Sequence, residues 1–281
     1  MVQYAMAFTL LFLGEIVGKP GIFAVKSALQ SIKEQYKVSM VIGNADGATH
    51  GYGLGRNHSM YLRKLGIEVL TGGDQIYYKK DLHGHMDQAP YILRPANFPP
   101  GNPGRGWRTY SAGGVRVGVI NLLGLSGFNR VHPSNPYSFL PEIVKRLKAD
   151  AQVILLDFHS CTTAEKATMN LMADGMVTAV LGTGMKTLTA DAHIMPKGTA
   201  SISDTGRTGS LQSVGGYKPE VEVQQFMTAI PERSHEWWMG LEVQGVVLTL
   251  DDDFKAQSIV PIRIPVDPPQ SEIQMSEGDD D

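Results

Sequence analysis

Cysteine is almost absent from this chain: Cys161 is the single one in 281 residues. One thiol cannot close an internal disulfide, so a packed core must hold the fold, and the composition suits a reducing cytoplasm. A basic excess is missing too. Lys and Arg number 25 against 28 Asp and Glu, a formal net charge of -3, and no Lys/Arg stripe stands out. That removes the electrostatic footprint that duplex nucleic acid requires. Long apolar runs are also lacking. The run inside MVQYAMAFTLLFLG is too short to span a bilayer, has no basic segment before it and no small-residue cleavage site after it. It is expected to be the first core strand of a cytoplasmic protein with no membrane partner. Val2 to Ala5 add nothing to the pattern, which leaves Met6 beside Met1 as a candidate start.

What is present is an ordinary globular composition, 42% hydrophobic, long enough for one large domain or two small ones. Strand patterns over Phe8–Leu13, Ser39–Ile42, Glu68–Leu70, Val115–Leu122, Val153–Phe158 and Thr178–Leu181 alternate with helical patterns. The helical patterns cover Phe23–Tyr36, His58–Leu65, Pro141–Ala149 and Ala164–Asp174. Gly245–Leu250 and Ser258–Ile264 read as a hairpin around DDDFK. The alternation predicts an α/β fold. The expected domain covers 6–267, and the polar, acidic stretch 268–281 is expected to be a disordered tail.

In such folds the carboxyl ends of the strands collect the chemistry. Glu15 follows the first strand. Asn44, Asp46 and His50 follow the second, and Asp74 the third. His159 follows Val153–Phe158, and Lys186 and Asp191 follow Thr178–Leu181. Other readings fail on spacing. GEIVGKP puts its glycines one residue too close for a phosphate loop and has Pro20 where a hydroxyl is needed. Cys161 beside His159 reads as a small, partly buried thiol rather than a nucleophile. His83 and His85 in DLHGHMD are an isolated pair on a polar segment, and Trp237 and Trp238 read as packing residues.

The segments FLGEIVGKPG, GNADGATHGYGL, LRPANFPPGNPGRG, GVINLLG, DFHSCTTAEK, TADAHIMPKGTA and SDTGRTG occur in this order. Together they resemble the calcineurin-like metallophosphoesterases, and more closely their bacterial 2',3'-cyclic-nucleotide phosphodiesterase (YmdB-like) branch. The resemblance runs from about Phe8 to Ile264. It implies a four-layer, two-sheet α/β sandwich with a two-metal centre at one edge. In such a centre two divalent cations about 3.5–4 Å apart clamp a phosphate and activate a bound water.

Carried over residue by residue, the metal-ligand positions fall on Glu15, Asp46, Gly47, Gly73, His159, Gly184 and Lys186. Asp74 falls where the family has its catalytic histidine. Only His159 keeps the family's residue type. Glu15 and Asp46 keep a carboxylate of altered length, the three glycines offer no side chain, and Lys186 offers a cation. The resemblance therefore implies a divergent member with lost or strongly reduced hydrolysis and a binding, regulatory or assembly role. In that reading the Lys186 ammonium takes the place of a metal beside Glu15 and Asp46. The alternative is an active phosphodiesterase with a rebuilt site on Glu15, Asp46, Asp74 and His159, helped by Asn44, His50 or Asp191. The expected cofactor is none or one divalent ion (iron, manganese or zinc). The expected partners are a nucleotide or phosphoester ligand and further copies of the chain.

Overall fold

The computed structural model describes residues 8–128 and 130–272. The expectations about Met6 and about the tail from residue 273 onward fall outside them. The strands are β1 (Phe8–Leu13), β2 (Glu15–Ile16), β3 (Met40–Asn44), β4 (Val69–Thr71), β5 (Ile92–Leu93), β6 (Trp107–Ala112) and β7 (Val115–Leu123). They continue as β8 (Val153–His159), β9 (Ala179–Thr183), β10 (His193–Ile194), β11 (Ala200–Ile202), β12 (Arg207–Ser210), β13 (Leu241–Leu250) and β14 (Ala256–Val266). The helices are α1 (Gly18–Tyr36), α2 (Arg56–Leu65), α3 (Lys80–Met86), α4 (Pro136–Leu147), α5 (Thr163–Ala173) and α6 (Pro219–Thr228).

Two sheets form. The larger runs β2-β12-β13-β1-β3-β4-β5 with β14 paired to β13, and the smaller runs β10-β11-β9-β8-β7-β6. β1, β3, β4 and β5 are parallel, as are β7, β8, β9 and β11. Apart from the exposed Arg116 on β7, these strands are buried on both faces, which explains the apolar runs of β1, β3, β8 and β9. On β1 the alternation sends Leu10 and Phe12 into the core between the sheets and Leu11 and Leu13 into the core under α1. On β8, Val153 and Leu155 face the inter-sheet core, while Ile154, Leu156 and Phe158 face the core shared with α4 and α5. The result is the expected four-layer sandwich, helix–sheet–sheet–helix.

Two helices begin five residues earlier than the sequence expectation, and α3 and α6 were not expected. α1 begins at Gly18, not Phe23, with Pro20 in its first turn. The amides there have no intrahelical acceptor, so a proline costs nothing. α4 begins at Pro136, not Pro141. Asn135 caps it by accepting from the Tyr137 amide at 2.9 Å, and Pro141 lies inside the helix. The Pro/Gly-rich segment after β5 is a brace. Asn97 donates to the Leu123 and Ser134 carbonyls at 2.7 and 2.8 Å and accepts from the Leu123 amide at 2.9 Å.

Candidate active site

The carboxyl ends of β3, β4, β8 and β9 meet where the two sheets come together, and a buried carboxylate joins them. Asp157 on β8 accepts from Asn44 Nδ2 on β3 at 3.0 Å, Thr71 Oγ1 on β4 at 2.5 Å and Thr183 Oγ1 on β9 at 2.6 Å. Burial pushes the Asp157 carboxyl up, against the neighbouring His159 and these three hydrogen bonds. Thr183 spends its proton on Asp157, so its oxygen accepts from His159 Nδ1 at 3.0 Å. That fixes the ring and leaves Nε2 facing Asp74 Oδ1 at 3.4 Å. Phe128 stacks on the other side of the imidazole. Burial opposes a charge on His159, but the Asp74 hydrogen bond and the fields of Asp46 and Glu15 outweigh it and raise its pKa to about 9.

Asp46 is held by backbone. Its Oδ1 accepts from the Gly73 amide at 2.6 Å and its Oδ2 from the Gln75 amide at 3.0 Å. Burial lifts its pKa to about 7, with His159 pulling the other way. Glu15, buried on β2, receives the Lys186 ammonium, with Nζ 3.2 Å from Oε1. Burial alone would weaken the lysine's charge; Glu15 first and Asp46 after it outweigh that and raise the Lys186 pKa. Lys186 holds this position with a left-handed backbone, φ 57°.

The three glycines are packed, not open. A Cβ at Gly73 would lie 2.5 Å from His159 Nε2, and one at Gly47 would lie 2.8 Å from Glu15 Oε1. One at Gly184 would lie 3.1 Å from His159 Nε2. His159 and Glu15 thus occupy the space that side chains at these positions would need.

This arrangement decides which metal centre the residues fit. Asp46, Asp74 and His159 each bring a ligand atom within 4.8 Å of the others, one imidazole and two carboxylates, a donor set suited to one divalent ion with water completing it. A second ion beside Glu15 does not fit. The Lys186 ammonium already stands beside Glu15 Oε1, where it would repel a divalent cation, and Gly47 and Gly184 supply no donor.

The remaining candidates are committed to other partners or lie outside the cluster. Asn44 uses its amide on Asp157, the Gly72 carbonyl and Thr183, and its Oδ1 on the Asp46 amide. His50 is largely exposed, 3.9 Å from Glu236. Asp191 accepts from the Ser203 amide. His83 and His85 sit on α3 and bond to the Tyr77 carbonyl and the Tyr91 hydroxyl. Trp238 packs edge-on against Phe23.

Sequence reading missed Asp157, Thr183 and Arg207. An aspartate interrupting the apolar strand VILLDFH was the visible signal for the first. Also unforeseen is the buried Lys166–Asp204 pair at 3.2 Å, in which Lys166 donates to the Thr183 carbonyl at 2.6 Å. It ties α5 to the loop carrying Lys186, because Asp204 also accepts from the Met185 amide.

Known proteins share this frame. The family model described as YmdB-like protein matches residues 11–262. The 2',3'-cyclic-nucleotide 2'-phosphodiesterase of Bacillus subtilis (strain 168) is 35% identical over 246 residues, covering 88% of this chain and 92% of that protein. The crystal structure of a novel phosphatase from Mycoplasma pneumoniae superposes with a TM-score of 0.87 at 31% identity, over 94% of this chain and 95% of that one. A hypothetical protein from Thermus thermophilus gives 0.85 at 27% identity, over 93% and 100%. The two-sheet α/β fold is that of the metallophosphoesterases, and the chain belongs to the YmdB-like family.

Proposed function

We propose that this chain is a phosphoester-binding member of its family whose hydrolysis is lost or strongly reduced. The observation that carries the reading is the Lys186 ammonium 3.2 Å from Glu15 Oε1. A two-ion centre works by clamping the attacking and leaving oxygens together and by generating hydroxide on a bound water. An ammonium supplies charge, but it coordinates no water and lowers no water pKa. A single ion on Asp46, Asp74 and His159 would polarise a phosphoryl oxygen. His159 would be oriented for that by Thr183, with the ring proton on Nδ1. Self-association and a nucleotide or phosphoester ligand belong to the same proposal. Among the described residues no helix is long and apolar enough to cross a membrane.

A second reading, a working one-ion phosphodiesterase, is favoured by the Asp46–Asp74–His159 donor set and by the name of the Bacillus relative. The test is steady-state hydrolysis of 2',3'-cyclic AMP with added manganese. The proposal expects no turnover above the buffer rate. Turnover that disappears in His159→Ala establishes the second reading instead.

A further inference from the structure

Arg207 lies directly opposite Glu15 in the parallel β2–β12 ladder, so the two side chains share one face of the sheet. It is 7% exposed. Its backbone is pinned, with its amide donating to Gln244 Oε1 at 3.0 Å, and the Glu15 amide donates to the Gly206 carbonyl at 3.0 Å. Its side chain is not pinned: Nε has no hydrogen-bond partner among the described residues. Nor has Glu15 Oε2, the oxygen that Lys186 leaves unused. A buried guanidinium N–H and a buried carboxylate oxygen therefore stand unsatisfied on neighbouring register partners. A buried donor or acceptor left without a partner keeps its full desolvation penalty.

The site's other carboxylates are already committed. Asp46 takes two backbone amides, Asp74 takes His159, and Glu15 Oε1 takes Lys186. Glu15 is the charge that acts on Arg207, and it is shared with Lys186. Two cations share the Glu15 carboxylate, with Asp46 adding its field at Lys186, and the Arg207 Nε–H stays without an acceptor among the described residues. Lys186 keeps 22% of its side chain exposed, so this cluster has an outlet to solvent.

We propose that Arg207 and Lys186 together bind a tetrahedral oxyanion, a phosphate or phosphomonoester group, at the Glu15 edge of the site without a divalent ion. The inference rests on the reading of the site as phosphoester-binding and gives its binding chemistry. A guanidinium offers two parallel N–H donors matched to a phosphate edge, and an ammonium adds a rotatable donor and charge. The ligand supplies the missing acceptor for the guanidinium, and the two organic cations take over the charge role of the second metal.

The test is a thermal-unfolding titration with inorganic phosphate in the presence of chelator, on the full chain and on Arg207→Gln, Arg207→Lys and Lys186→Gln. Ligand that binds only the native state raises Tm with concentration. The wild type is expected to rise. Arg207→Gln should need at least tenfold more phosphate for the same rise, and Arg207→Lys should fall between. Because the arginine is unpaired, Arg207→Gln should fold with an unliganded Tm no lower than that of the wild type. Should it fail to fold, Lys186→Gln must show the tenfold loss. A parallel titration with adenosine 3'-monophosphate separates the sources. A lower half-saturation point than for inorganic phosphate marks a nucleotide, and an equal one marks free phosphate. The proposal is overturned by no rise in the wild type, by equal responses of wild type and variants, or by a rise only when a divalent ion is added. Cyclic-nucleotide turnover by the same preparation would overturn the reduced-hydrolysis reading separately, without moving the chelator-resistant phosphate response.

Discussion

Lys186 Nζ stands 3.2 Å from Glu15 Oε1, and the glutamate it meets is 2% exposed on β2. The carboxylate that an acidic metal centre would present to a cation presents itself here to a lysine of the same chain. Removing one partner of such a pair leaves an uncompensated buried charge, which costs more than the pair contributes. Lys186→Met should therefore lower unfolding free energy by about 2–4 kcal/mol. Lys186→Met with Glu15→Gln should recover most of that loss. Urea denaturation of the four proteins in chelator measures the coupling, and equal losses in single and double variants would remove the pair from the account.

The Asp74–His159 pair makes stability depend on pH. The folded pKa of His159, about 9, lies above the ordinary imidazole value, so its contribution is fully present below about pH 6.5 and is lost as pH rises through 9. Asp46, raised to about 7, acts in the same direction, because its protonated form is favoured in the native state. Stability in chelator should fall by on the order of 1–3 kcal/mol between pH 6 and pH 9. His159→Gln should flatten the profile. Urea midpoints at pH 6, 7.5 and 9 check the slope; a wild-type midpoint that is level or rising across this window contradicts it.

Lys166 and Asp204 are 1% and 0% exposed, and their pair joins α5 to the Lys186 loop. Lys166→Met leaves Asp204 buried with only its backbone donors and should cost about 3–5 kcal/mol. Asp204→Asn with Lys166→Met should cost less. Thermal unfolding of single and double variants decides between a structural pair and an incidental contact.

Much of this was legible in the sequence, and the reason is burial. Parallel strands covered on both faces show as continuous apolar runs, so β1, β3, β7, β8 and β9 were found within one or two residues. The short strands β2, β5, β10, β11 and β12 and the half-exposed β6 carry no such run and were not found. The site was legible wherever a polar residue follows a strand, which placed Glu15, Asp46, Asp74, His159 and Lys186 at one edge. Asp157, Thr71 and Thr183 were not, because they lie within the strands, where one polar residue among apolar neighbours gives no hint of its partner on another strand. Arg207 was hidden for a different reason: its meaning depends on being opposite Glu15 in a ladder whose two strands lie far apart in sequence.

The inter-sheet core should behave as a close-packed interior. Phe12, 2% exposed, fills the layer between the sheets. Phe12→Ala should cost about 3–5 kcal/mol, whereas Phe12→Leu should cost clearly less. Urea unfolding of both variants checks the order, and equal losses would contradict a packed layer at this position.

The central claim is that this site has no place for a pair of ions. Elemental analysis of the protein after equilibration with manganese and removal of free metal tests it most directly, on wild type and on His159→Ala. No more than one ion per chain is expected, lost in the variant, since only Asp46, Asp74 and His159 bring their ligand atoms together among the described residues. Two ions per chain would contradict the account, because the second would have to displace Lys186 from Glu15.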